Sequence, residues 1–339
     1  MLRLPPFRYL APRTLEQALE LLAEEGEQAM PVAGGTDLYP NMKRRQLTPP
    51  VLLGLRGIET LGHIAGSPQE GMRLGAGVTL AAVAAHPLLQ QAYTALSSAA
   101  AAVSTPQLRN MGTLGGNLLL DTRCNYYNQT EFWRQSIGYC LKKDGDICLV
   151  APGSPRCWAI SSADTAPALV SLGAQVRLVS VRGERVLPVR ELFRDDGLLP
   201  YTRAWDELLT EILLPPASGW RSVYLKLRRR GSFDFPLLGV AAALRWHADG
   251  TVADARLTLG AVASHPVEAR EAVAQLLERS PDRELIDAVA QAAARRAKPL
   301  DNADLTLTYR KQVTPVFIRR ALMQLLGHPA PNALDESGS

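Results

Sequence analysis

Histidines are few in this sequence and widely spread. His63, His86, His247, His265 and His328 are the whole set, with no two at metal-ligand spacing, so each reads as a surface or core residue. No Gly-x-Gly-x-x-Gly stands between a strand and a helix, which leaves a nicotinamide-binding Rossmann domain without support. The absence of Gly-x-x-x-x-Gly-Lys-Ser/Thr argues likewise against a P-loop nucleotidase. No Ser-His-Asp or Cys-His arrangement is visible and no carboxylate pair stands out, so no catalytic residue is assigned to this chain. No apolar run reaches membrane-spanning length, and the opening Met1-Leu2-Arg3-Leu4-Pro5-Pro6-Phe7 lacks an apolar signal core; a cytoplasmic protein with no membrane contact is expected. The net charge of +4 is mild, and the basic runs Lys43-Arg44-Arg45 and Arg228-Arg229-Arg230 are too short for the dense stripe that nucleic acid requires.

Cysteine is also scarce, but its few copies are concentrated. Cys124, Cys140, Cys148 and Cys157 follow the pattern Cys-x15-Cys-x7-Cys-x8-Cys. In a reducing cytoplasm this disfavours two disulfides and favours metal ligation. The spacing is neither the tight Cys-x2-Cys of a zinc ribbon nor the short-spaced ferredoxin pattern. Taken alone it leaves an iron–sulfur cluster, zinc and no metal all open, although four thiolates match the ligand count of one four-iron cluster. The same stretch carries Tyr126, Tyr127, Phe132, Trp133, Tyr139 and Trp158, which either shield a cluster as a satellite core or simply fold a long loop.

With 339 residues, 47% apolar and 21% charged, the chain suits a soluble globular protein of two or three domains. Thr14-Leu15-Glu16-Gln17 resembles a capping box, and Leu15, Ala18, Leu19 and Leu22 continue at helical spacing to about Glu25, where Gly26 ends the helix. Short strands are expected at 30–33, 51–55 and 72–74. A single alanine-rich helix is expected over 86–103, stopped by Thr105-Pro106. Residues 175–181 and 185–189 read as a hairpin around Arg182-Gly183. Beyond Gly219, three longer strands (222–227, 237–246, 255–259) precede helices at 266–279, 283–297 and near 313–326, which reads as an α+β domain.

Two glycine-rich segments are candidates for anion binding. Val32-Ala33-Gly34-Gly35-Thr36-Asp37-Leu38 follows a strand, and two glycines there let backbone amides approach an oxyanion, with the Thr36 hydroxyl as a further donor. The Asp37 carboxylate would repel phosphate, so it orders the loop or caps the next segment. Thr113-Leu114-Gly115-Gly116-Asn117 repeats this chemistry, and two such loops suit the two sides of one diphosphate. Asp164, in Ser161-Ser162-Ala163-Asp164, reads as a helix cap or as an acceptor for ribityl or ribose hydroxyls. Lys226, within Tyr224-Leu225-Lys226-Leu227, is an outward-facing strand residue or, facing a flavin, a charge that stabilises its reduced ring.

These segments together resemble the FAD-binding medium subunits of the xanthine oxidase family of molybdenum hydroxylases, from about Phe7 to about residue 325. The segment 122–158, from Arg123-Cys124 through Tyr126-Tyr127-Asn128-Gln129 to Cys157-Trp158, is similar to the insert of the 4-hydroxybenzoyl-CoA reductase β subunits. The resemblance implies a fold of the α+β class: a vanillyl-alcohol-oxidase/PCMH-type FAD-binding domain of two α/β lobes (1–185) with an iron–sulfur insert (122–158). A C-terminal α+β domain (186–330) with a three-stranded sheet and helices follows, then a flexible tail (331–339). It implies FAD held by residues 32–38 and 113–117 with Asp164 and Lys226 nearby, and a [4Fe-4S] cluster on Cys124, Cys140, Cys148 and Cys157. The implied partners are a molybdopterin-containing large subunit, a small subunit with two [2Fe-2S] clusters, and ferredoxin as electron donor, in a heterohexamer of two αβγ trimers. The implied reaction is reductive dehydroxylation of 4-hydroxybenzoyl-CoA to benzoyl-CoA. An alternative is the FAD subunit of a related dehydrogenase that oxidises an aromatic or heteroaromatic substrate. A second is a zinc-stabilised binding subunit.

Overall fold

The computed structural model describes residues 2–327. The expected tail at 331–339 and His328 lie outside the described residues. Three sheets organise the described residues. Strands β1 (Arg8–Leu10), β2 (Ala29–Val32) and β3 (Val51–Gly54) form a parallel sheet in the order β1-β3-β2. Helix Leu15–Glu25 joins β1 to β2. It starts where expected: the Thr14 hydroxyl accepts from the Gln17 amide at 3.2 Å, and the Gln17 side chain reaches back to the Arg13 amide at 2.8 Å. Gly26 ends it at φ 65°, a conformation that costs glycine little. Ala18, Leu19 and Leu22 bury one face of this helix against Val51 and Leu53.

The second sheet is antiparallel, in the order β4-β5-β8-β6-β7, from β4 (Ile64–Ser67), β5 (Gly71–Gly75), β6 (Gln175–Ser180), β7 (Gly183–Pro188) and β8 (Leu208–Leu214). The 175–189 hairpin is present as β6 and β7. The expected domain boundary at 185/186 falls inside β7, and β8 lies between β5 and β6 as a central strand. Residues 186–214 therefore belong with the first domain. The sequence could not show this, because β8 pairs with strands remote along the chain. The expected single helix over 86–103 is also corrected. Helices Pro87–Ala92 and Thr94–Ala102 take its place, and a first break sets them off from a preceding helix, Leu80–Ala85, because Pro87 has no N–H to donate across it. At the second break, the buried Tyr93 leaves helical geometry and donates its hydroxyl to the Pro215 carbonyl at 2.7 Å.

The third sheet, β12-β11-β10-β9, holds β9 (Trp220–Leu227), β10 (Leu238–Trp246), β11 (Val252–Gly260) and β12 (Val267–Glu268). The three expected strands are joined by this short fourth one. It occupies part of the expected helix 266–279, whose remainder is one helical turn (Arg270–Val273) and a tighter one (Ala274–Leu276). Both faces of the sheet are covered. Val240, Ala242 and Leu244 of β10 face a core shared with helices Arg283–Ala294 and Leu307–Leu325. Ala241 packs on the other side with Ala95 and Ala99 of Thr94–Ala102 and Ala168 of helix Thr165–Leu172. Small residues on that side let two helices approach closely. This brings the C-terminal sheet against the first domain, and the carboxyl end of β9 beside the helix ends that follow.

Candidate cofactor cleft and four-cysteine insert

The first glycine segment leaves β2 at Val32 and enters a short helix, Leu38–Lys43. It touches the approach to the second segment: a Cβ on Gly34 would lie 1.9 Å from the Met111 carbonyl oxygen, so only glycine fits there. Gly35 has φ 68°, and a Cβ at Gly112 would stand 3.4 Å from the Thr36 hydroxyl. The two segments expected to share a diphosphate thus lie side by side. None of the described residues accepts from the amides of Gly34, Gly35, Thr36 and Asp37, a set of open donors suited to an anion.

The second segment is wired differently. Thr113 caps helix Leu114–Leu118 by accepting from the Gly116 amide at 3.1 Å. The amides of Leu114, Gly115 and Asn117 donate to Val78, Ala76 and Thr113 carbonyls at 2.8, 2.9 and 2.9 Å. A Cβ on Gly115 would meet the Ala76 Cβ at 2.7 Å, so this glycine serves backbone packing. Asn117 has a further part: its Oδ1 accepts from the Thr165 amide (3.2 Å) and hydroxyl (2.7 Å), satisfying the first turn of the helix after Asp164.

Asp164 is thereby free of the capping role. Its carboxylate is buried and accepts from the Tyr224 hydroxyl at 2.7 Å and from Lys226 Nζ at 2.9 Å. Burial raises the Asp164 pKa and lowers that of Lys226, and the charge of each opposes that shift in the other. Lys226 Nζ also donates to the Ala102 carbonyl at 2.9 Å, at the end of Thr94–Ala102. Tyr224 went unnoticed in the sequence, although it sits two residues from Lys226 on one strand and hence on the same face. Asp37 caps nothing. It accepts from Asn41 Nδ2 at 2.8 Å and from Arg123 at 3.0 Å, and burial raises its pKa against the pull of Arg123.

The insert closes on itself before the core resumes. Arg123 and Ile160 exchange both backbone hydrogen bonds, at 2.9 and 2.8 Å. Helix Glu131–Ser136 starts at Thr130 and carries Arg134, which is 0% exposed. Arg134 pairs with Glu131 and donates to the Arg44, Arg45 and Gln129 carbonyls. Gln46 Nε2 donates to the Tyr127 carbonyl at 2.7 Å. The insert is therefore clamped to the chain just after the first glycine segment. Cys124, Cys140, Cys148 and Cys157 are buried free thiols lining one small apolar cavity with Tyr126, Tyr127, Leu141, Lys142, Leu149, Val150 and Ala159.

Burial pushes the thiols of Cys124 and Cys157 up to about 12 and about 11, so thiolates there need a compensating cation. The Ala159 amide donates to Cys157 Sγ at 3.4 Å. Lys142, on the cavity wall, donates to Asp121, the Thr122 hydroxyl and the Gly197 carbonyl at 2.8, 2.8 and 2.6 Å. Convergent thiols, apolar walls and an amide on sulfur fit a metal–sulfur group chemically. Among the described residues, no set of three or more His, Cys, Asp or Glu side chains is already arranged to hold a metal ion. No described helix is long and apolar enough to cross a membrane.

Residues 5–217 match the family described as the FAD binding domain in molybdopterin dehydrogenase, and residues 222–325 match the CO dehydrogenase flavoprotein C-terminal domain. The division between them falls where the second sheet gives way to the third. The chain is 33% identical over 260 residues to the aldehyde oxidoreductase FAD-binding subunit PaoB of Escherichia coli, covering 72% of this chain and 78% of that protein. It is 29% identical over 322 residues to the carbon monoxide dehydrogenase medium chain of Afipia carboxidovorans, covering 93% and 95%. Among solved structures, carbon monoxide dehydrogenase from Hydrogenophaga pseudoflava aligns at a TM-score of 0.78 and 26% identity, over 96% of this chain and 99% of that one.

Proposed function

The chain belongs to the FAD-binding subunits of the molybdopterin dehydrogenases, and on that premise we propose that it is the electron-transfer subunit of a molybdenum hydroxylase-type complex. In this reading residues 32–38 and 113–117 hold FAD. The amides of 34–37 take the diphosphate, while the second segment acts through its backbone shape and through Asn117. Asp164 and Lys226, steadied by Tyr224, lie toward the flavin. Cys124, Cys140, Cys148 and Cys157 ligate a [4Fe-4S] cluster. The observation that carries the reading is that four free thiols, drawn from separate turns of one insert, line one apolar cavity in a segment clamped beside the first glycine segment. Bound, the cluster supplies single-electron transfer and the flavin exchanges one or two electrons. This chain's residues bind, orient and shield those groups, and the substrate chemistry belongs to a partner subunit.

The partners that go with this reading are a molybdopterin-containing large subunit and a small subunit with two [2Fe-2S] clusters, in a heterohexamer of two trimers. For direction and substrate, the resemblance of the insert supports a 4-hydroxybenzoyl-CoA reductase, fed by ferredoxin and releasing benzoyl-CoA. A second reading, oxidation of an aldehyde with electrons flowing outward, is favoured by the 33% identity to an aldehyde oxidoreductase subunit. The test is an anoxic absorption spectrum of the purified chain with FAD, iron and sulfide counted on the same sample. FAD with about four irons and four sulfides per chain, the content of one such cluster, is expected. FAD without iron after anoxic reconstitution would overturn the role of the cysteines. Turnover of the whole complex with an aldehyde, against dye-driven reduction of 4-hydroxybenzoyl-CoA, separates the two substrate readings.

A further inference from the structure

Arg123 is the residue before Cys124, and it meets three parts of the molecule at once. Its backbone closes the insert by pairing with Ile160. Its guanidinium lies 3.0 Å from Asp37 Oδ1 in the first glycine segment, with 15% of its side chain exposed. The same guanidinium sits 3.8 Å from the ring centroid of Phe235, in the connection between β9 and β10. Asp121 acts electrostatically on both Arg123 and Asp37. On its other side, Asp121 pairs at 2.8 Å with Lys142, which lines the cysteine cavity. Charges therefore alternate, Lys142, Asp121, Arg123, Asp37, from the cavity wall to the glycine segment.

We propose that Arg123 is a positioning residue that couples the state of the four-cysteine insert to flavin binding at the first glycine segment; this rests on the cluster and FAD reading given above. The physical case is direct. Any rearrangement of Cys124 moves the backbone that carries Arg123, and so moves the partner of Asp37. A half-buried carboxylate that loses its cation is costly, so the loop that carries the open amides must respond. Arginine suits the position because its planar group bonds a carboxylate and stacks on a ring at once, which lysine cannot do. Coupling of this kind is reciprocal: a filled insert tightens FAD, and FAD steadies the insert.

The test is the FAD dissociation constant of the full chain, read by flavin fluorescence with the cluster in place and again after removal of iron by a chelator. In the parent chain, removing iron weakens FAD at least about fivefold, the lower end of usual coupling between sites. In Arg123→Gln that ratio falls toward one, Arg123→Lys recovers part of it, and Phe235→Leu, which keeps the ion pair and loses the stack, gives an intermediate value. A merely structural role would weaken FAD equally in both states and leave the ratio unchanged. Circular dichroism establishes that each variant is folded, and iron and sulfide are counted on every sample. Iron at full count with the parental ratio in Arg123→Gln overturns the coupling alone, as does a ratio of one in the parent. A chain that takes up no iron overturns the cluster reading and the coupling with it.

Discussion

The two glycine segments are alike in composition and unlike in use. Ala33-Gly34-Gly35-Thr36 leaves the amides of residues 34–37 without an acceptor among the described residues, whereas Leu114-Gly115-Gly116-Asn117 donates its amides to Val78, Ala76 and Thr113. The difference comes from what precedes each one. The first follows a parallel strand and turns into a short helix, so its donors point away from the ladder. The second pairs with residues 76–80 on one side and is capped by its own threonine on the other. A Gly-Gly plus threonine signature thus marks close backbone approach in both places and open donors in only one.

Substitutions can break that comparison. The largest effect is expected from Gly34→Ala, whose Cβ would meet the Met111 carbonyl at 1.9 Å. Overpacking against a rigid backbone should cost about 3 kcal/mol, and here it forces apart the two segments that meet there. FAD content of the purified chain and thermal unfolding should fall together; a variant with full FAD would show that the segments are not held in register by this contact.

Asn117→Ala should come next, costing about 1–2 kcal/mol through loss of acceptors for the Thr165 amide and hydroxyl. Denaturant unfolding checks it, and an unchanged midpoint would return the capping role to another group. The threonines sharpen the contrast. Thr113→Ala should lower stability by about 1 kcal/mol through its lost cap and change FAD affinity little. Thr36→Val should leave stability intact and weaken FAD about tenfold, because the Thr36 hydroxyl has no partner among the described residues and a hydrogen bond to a charged group is worth about 1.5–3 kcal/mol.

The smallest effect is the share of the acid pH dependence that Asp37 contributes. Burial makes the Asp37 carboxyl easier to protonate folded than unfolded, against the attraction of Arg123. Its contribution to stability is then fully present below the ordinary carboxyl value of 3.8 and is lost as pH rises through its raised folded value. The stability difference between the parent chain and Asp37→Asn, measured across acid pH, should follow this slope. The same slope in both would place it on another group.

Much of the fold was legible wherever the relevant interactions are local. The helix from Leu15 to Glu25 announced itself by Thr14, Gln17 and Gly26, and β9, β10 and β11 by their apolar lengths and the turns between them. Misreadings arose where a distant partner decides. β8 closes a sheet with strands on both sides of it, Tyr93 is drawn out of a helix by Pro215, and Val267–Glu268 becomes a strand because β11 offers an edge. At the site, the sequence around Asp164 reads equally as a helix cap, but the cap acceptor for that helix comes from Asn117, remote along the chain.

By itself the sequence determined which chemistry this chain carries: two close-approach glycine segments, four thiols in one short stretch, and a lysine within a strand. Residue type and spacing suffice for that, since donors, soft ligands and backbone freedom are properties of the residues. Only the tertiary structure decided which amides stay open, that Asp164 meets Tyr224 and Lys226, and that Arg123 joins the insert to Asp37 and Phe235. Those are contacts between segments far apart in the chain. They exist because burying the sheets and helices brings such segments together, and because a buried polar group must find its partner wherever packing leaves one.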